Sequence, residues 1–173
     1  MKYKTILCFF FIGLCAFGCK RSDQKIKELL EGFIDTQVTI PEDLLIFNNG
    51  NNPIKRDAKY KVISYVDSLD CTLCYLNQYH VAWTNLLAKF KDADFSLLII
   101  FHSQDIDGIR DLFEIYKSDV PFLLDFYGDF KTKLPPEKIL HTFLLEDSTV
   151  VLAGNPFNNS KLLPLYEQKI SGN

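Results

Sequence analysis

No nucleic-acid footprint, no internal repeat and no low-complexity tract is present in this chain. Its lysines and arginines are scattered, so a basic binding stripe is excluded. The apolar run from Ile6 to Gly18 has thirteen residues, too few to span a bilayer. Beyond Cys19 only two cysteines occur, Cys71 and Cys74, too few for a framework of disulfide staples. Tyr75 follows that pair where covalent haem attachment needs a histidine, so a c-type haem site is excluded there. What the chain does have is 47% apolar and 14% aromatic residues, enough for one domain with a substantial core.

The first eighteen residues read as an address. Met1-Lys2-Tyr3-Lys4 is a short basic start, and Ile6 to Gly18 is the apolar core of a secretion signal. The run ends in Cys15-Ala16-Phe17-Gly18-Cys19, followed at once by Lys20-Arg21-Ser22-Asp23-Gln24. Small Gly18 before Cys19 resembles a bacterial lipobox, although Ala16 and Phe17 depart from the usual residues. That resemblance implies cleavage before Cys19 and lipidation of its sulfur, with palmitate-type chains entering the membrane. Cys8 and Cys15 then leave with the leader. Loss of Lys2 and Lys4 takes the net charge from −3 to −5. No acidic residue directly follows Cys19, so the expected location is a bacterial envelope membrane, facing the periplasm.

The mature chain keeps one thiol pair, in Asp70-Cys71-Thr72-Leu73-Cys74. Before it lies Lys61-Val62-Ile63-Ser64-Tyr65-Val66, rich in strand formers. After it, Leu76, Tyr79, Trp83, Leu86, Leu87 and Phe90 recur at helical spacing. A C-x-x-C at a strand-to-helix junction sets its first sulfur at a helix N-terminus. Partial positive charge there favours the thiolate. In an exported, oxidising compartment an isolated pair of this kind reads as redox-active.

Three segments are expected: a signal peptide over 1–18, a tether and short helix over 19–36, and one globular domain over 37–173. The tether helix carries Ile26, Leu29, Leu30 and Phe33. Runs Thr36 to Ile40 and Leu44 to Phe47 flank Pro41-Glu42-Asp43 and are expected to form an N-terminal hairpin on a sheet edge. Asn48 to Pro53 is a loop. Strand Tyr60 to Val66 leads to the cysteines and to a helix reaching about Lys91. Phe95 to Phe101 is continuously apolar, as in a strand covered on both faces. His102-Ser103-Gln104-Asp105 offers a cap for an amphipathic helix carrying Ile106, Ile109, Leu112, Phe113 and Tyr116. Val120 to Asp125 is a short strand, 126–136 a loop, and His141 to Leu145 with Val150 to Ala153 a hairpin. A last helix follows Asn158-Asn159-Ser160, with Pro164 in its first turn.

This order, β-α-β-α then β-β-α with C-x-x-C after the first central strand, resembles the thioredoxin fold, a central mixed α/β sheet flanked by helices. The likeness is to the exported TlpA, ResA and alkyl-hydroperoxide-reductase subfamily. It rests on Ser64 to Cys74, Val120 to Asp125 and Thr142 to Asp147, and spans about residues 37–170. It implies dithiol–disulfide exchange with Cys71 as nucleophile and Cys74 as resolving thiol, with no dissociable cofactor. Partners implied are exported thiol or disulfide proteins or small thiols, plus another redox protein. Three positions depart from the family. Asp70 replaces the usual aromatic, and its charge opposes a thiolate at Cys71. Leu140 stands where the family has a cis-proline, with His141 beside it. Asp70, Leu140 and His141 are therefore the candidate substrate-facing residues. Tyr65 replaces a buried acid six residues before Cys71 and is a poor base at neutral pH.

Other readings of the pair remain open. Cys71 and Cys74 fit a passive structural bond in a binding or scaffold lipoprotein. They also fit half a zinc site completed from His80, His102 and His141, although no metal is expected. The loop Phe126-Tyr127-Gly128-Asp129-Phe130 is aromatic and acid-dotted, and suits either packing or the lining of a substrate groove.

Overall fold

Tyr60–Val66, in which five of seven residues are β-branched or aromatic, make the strand on which the sheet is centred. The computed structural model describes residues 24–47, 52–67, 72–117 and 119–172. The chain divides into two compact units, residues 1–33 and 34–173. Of the first, only helix α1 over 24–33 is described. The signal peptide and Cys19 lie outside the described residues. No described helix is long and apolar enough to cross a membrane.

The second unit holds β1 (Leu45–Phe47), β2 (Tyr60–Val66), α2 (Thr72–Lys89), β3 (Phe95–His102), α3 (Ile106–Tyr116) and β4 (Phe122–Asp125). Two short 3-10 turns, Lys131–Lys133 and Lys138–Leu140, lead to β5 (Thr142–Glu146), β6 (Thr149–Ala153) and α4 (Leu162–Ser171). The six strands lie in the order β1-β4-β3-β2-β5-β6. Strands β2, β3 and β4 are parallel, and β1, β5 and β6 join antiparallel. The helix-spaced run after β2 and the capped run after β3 supply the long crossovers that parallel neighbours need.

Alternation sorts the side chains onto two faces. Val62, Val66, Leu97, Ile99, Phe101, Phe122, Leu124 and Leu144 form one core with Trp83 and Leu86 of α2, Ile109 and Phe113 of α3, and Tyr166 and Ile170 of α4. On the other face Ile63, Leu98, Ile100, Leu123, Phe143 and Leu145 are also fully buried. Phe130, Leu134 and Leu140 are buried as well, from the segment between β4 and β5. Phe130 and His141 both meet the Tyr65 ring edge-on, at 5.9 and 5.8 Å. An irregular segment thus covers part of the second face.

Local stop signals act largely as expected. Asp105 caps α3, its Oδ1 accepting from Gly108 N at 2.9 Å. Helix α2 ends at Lys89, two residues before the expected limit. Pro164 falls in the first turn of α4, and Asn159 Oδ1 accepts from Lys161 N at 3.0 Å just ahead of it.

The N-terminal hairpin is not formed. Residues 35–38 run along β6, through Asp35 N to Val150 O, Val150 N to Thr36 O and Val38 N to Ser148 O, with Gln37 bridging Thr149. Leu45–Phe47 instead pairs with β4 at the opposite edge of the sheet. Each run has strand character but no information about its partner. A sheet edge offers a ready row of unpaired N–H and C=O groups, and each run takes a different edge.

Candidate functional site

Parallel strands end together, so β2, β3 and β4 deliver Asp67, His102 and Asp125 to one edge of the sheet. Strand β5 starts at that same edge, with His141 directly before it. Helix α2 also begins there, and Cys74 lies in its first turn. Cys74 is solvent-exposed and disulfide-bonded. The other four cysteines lie outside the described residues, as do Asp70 and Cys71 within 68–71.

Beneath this corner is a polar cluster whose two carboxylates are buried while Lys131 and His102 remain partly exposed. The Asp67 side chain is 4% exposed, yet its Oδ2 is 2.6 Å from Lys131 Nζ and its Oδ1 3.7 Å from His102 Nδ1. The second distance is too long for a hydrogen bond, and His102 Nδ1 has no hydrogen-bond partner. Asp125 Oδ2 accepts from the Tyr65 hydroxyl at 3.1 Å, from Phe130 N at 3.1 Å and from Lys131 N at 3.3 Å. Burial, then the charge and hydrogen bond of Asp125 and the charge of Asp67, hold the Tyr65 hydroxyl proton far more tightly than usual. Tyr65 is therefore a fixed donor and not a base. The buried carboxylates of this corner come from Asp67 and Asp125.

His141 Nε2 is 2.9 Å from the Pro135 carbonyl, so that nitrogen carries the proton and donates. Its main-chain oxygen accepts from Tyr65 N at 2.9 Å. Leu140 is 1% exposed and His141 6%. Both side chains are therefore engaged in the interior. No cis peptide bond occurs among the described residues. His80 lies away from this corner, its ring 5.3 Å from that of Tyr116. Among the described residues no three His, Cys, Asp or Glu side chains gather as a metal site requires. Tyr75, the residue after Cys74, packs inward. Its hydroxyl meets Ser64 Oγ at 2.6 Å and accepts from Trp83 Nε1 at 2.8 Å, and burial pushes its pKa up.

Sequence reasoning weighed His102 but not Asp67, Asp125 or Lys131. The usable signal was positional: Asp67 and Asp125 each stand at the C-terminal end of a strand that precedes a loop or helix. Gly128 closes the corner. Its φ is +78°, and a Cβ there would sit 3.0 Å from His102 Nε2. Gly128→Ala is therefore expected to lower stability by about 1–3 kcal/mol, from positive φ and the displaced ring together. Urea unfolding checks it, and an unchanged midpoint would show that the loop relaxes freely.

No protein-family model matches the chain, and no curated protein sequence does. Solved structures do match. A hypothetical protein from Sinorhizobium meliloti superposes with a TM-score of 0.55 at 11% identity, covering 80% of this chain and 85% of that one. A putative thiol:disulfide interchange protein DsbE from Chlorobium tepidum gives 0.54 at 12% identity, over 79% and 98%. A putative thiol-disulfide oxidoreductase from Bacteroides vulgatus gives 0.54 at 13% identity, over 77% and 90%. At such identities the likeness is one of fold. The second unit of this chain has the thioredoxin-like α/β fold, a mixed six-stranded sheet with its helices packed on it.

Proposed function

We propose that the chain is an envelope lipoprotein, anchored through Cys19, that exchanges dithiols and disulfides on other exported proteins or small thiols. The observation that carries this reading is the disulfide at Cys74, exposed in the first turn of the helix that follows the central strand. The C-x-x-C spacing makes Cys71 its natural partner, since a pair one helical turn apart closes with little backbone movement. In the reducing direction the Cys71 thiolate attacks a client disulfide. The client S–S bond breaks, and one client thiolate leaves. Cys74, deprotonated, then attacks Cys71 in the mixed disulfide. The second client thiolate leaves and takes a proton, and the Cys71–Cys74 bond forms. Two electrons pass to the client, and the reverse sequence oxidises it.

A second reading has one observation in its favour. The residues before β5 are Leu140 and His141, both buried, where the family presents proline to its client. On that reading the fold is a binding module and the bond is passive. The reduction potential of the couple separates the two. Exchange predicts a value above about −300 mV, and a value far below it would make the bond structural.

A further inference from the structure

Beside the polar corner, on the sheet face that carries α3, lies a groove of about 330 Å³. Its floor is apolar, with Leu45 and Leu124 as cross-strand partners and Ile106 from the start of α3. Its wall is aromatic, with Phe126 and Tyr127 edge to face at 5.1 Å. Tyr127 is 78% exposed, yet the loop that carries it is held from below. Asp125 accepts two main-chain N–H groups further along, so the aromatic wall is set before anything binds.

The charge in the groove has one sign. Asp43 and Asp125 line it, and among the described residues no lysine or arginine does. The Asp125 carboxylate is engaged with Tyr65 and the Phe130 and Lys131 N–H groups, toward the other sheet face, which leaves Asp43 to meet a ligand. The N-terminus of α3 would attract an anion, but the Asp105 carboxylate already occupies it. A carboxylate beside aromatic faces above an apolar floor suits a lysine or arginine, whose stem is aliphatic and whose head is cationic. The neighbouring strand adds a second recognition element. β1 is the last strand of the sheet on that side, and Leu45 and Ile46 are 44% and 51% exposed. An edge of that kind accepts one more extended strand.

We infer that this groove and the outer edge of β1 hold an extended polypeptide segment carrying a lysine or arginine among apolar residues. The inference names the client class of the exchange reading and rests on that reading for its purpose, but binding itself needs no thiol. The probe is a short cysteine-free peptide alternating valine with lysine, compared with its glutamate counterpart, on the full chain in its oxidised form. The lysine peptide is expected to bind about tenfold more tightly or better at low salt, with the difference shrinking as salt rises. Tyr127→Ala and Asp43→Asn should each weaken it about fivefold, and Tyr127→Ala should unfold at the parent midpoint. Equal binding of the two peptides, or unchanged binding in both variants, would overturn the inference. So would self-association of the chain that Ile46→Lys abolishes, since the edge would then belong to a second copy. Peptide binding that persists while thiol exchange fails would instead remove only the exchange reading.

Discussion

Cys74→Ser is expected to leave client proteins covalently joined to the chain through Cys71, as adducts that a reductant dissolves. Cys71→Ser is expected to give no adducts and to lower the exchange rate on the order of a thousandfold or more, because the one thiol left in the motif, Cys74, lies within the helix and is less favoured as the attacking thiolate. The asymmetry follows from position along α2. Cys71 directly precedes α2 in the sequence, and a sulfur at that place is expected to have its thiolate stabilised by the aligned N–H groups of a helix start. Cys74 is in the helix proper, in its first turn. The C-x-x-C spacing suits it to pair with Cys71, but within the helix it is less favoured as the attacking group. Asp70, next to Cys71 in the sequence, is expected to oppose its thiolate by charge. Asp70→Asn should therefore speed attack at neutral pH. The check is non-reducing electrophoresis of envelope extracts from cells expressing each variant. Adducts from neither variant would leave the passive-bond reading in possession.

Asp125→Ala is expected to destabilise the domain by about 3–5 kcal/mol, lowering Tm by about 10 °C or more. The carboxylate is 4% exposed and accepts from three donors. Alanine leaves the Tyr65 hydroxyl and the Phe130 and Lys131 N–H groups without that acceptor. Water reaches such a site poorly, so much of the desolvation cost remains. The effect should extend beyond the site, because these bonds pin the segment that covers the second sheet face, with Phe130 fully buried upon it. Asp125→Asn keeps an acceptor oxygen and should lose less than half as much. Denaturant unfolding of the three proteins decides it. An alanine variant within 1 kcal/mol of the parent would mean that the segment is held by its apolar side chains alone.

Much of the fold can be read from short-range pattern. Tyr60–Val66 and Phe95–His102 are runs of strand formers, the helices carry apolar residues at helical spacing, and Asp105 is a cap by type and place. These are properties of consecutive residues, so the order of elements and the place of C-x-x-C between β2 and α2 follow from the chain. Partner choice is different. Thr36 to Ile40 and Leu44 to Phe47 read as two halves of a hairpin, yet residues 35–38 and Leu45–Phe47 bond to opposite sheet edges, because pairing depends on which edges the finished sheet leaves open.

The same division holds at the site. The cysteines, Tyr65, His102 and His141 were visible as residue types at strand ends. That His141 donates to Pro135, or that Tyr65 donates to Asp125 sixty residues on, was not. Asp67, His102 and Lys131 come from three separate elements: parallel strands ending together bring Asp67 and His102 to one place, and the 3-10 turn after β4 folds Lys131 back onto Asp67. Spacing along a chain specifies what a helix or strand will present. Which buried charges then meet is decided by packing, since a carboxylate in the interior must find its donors wherever the fold has brought them.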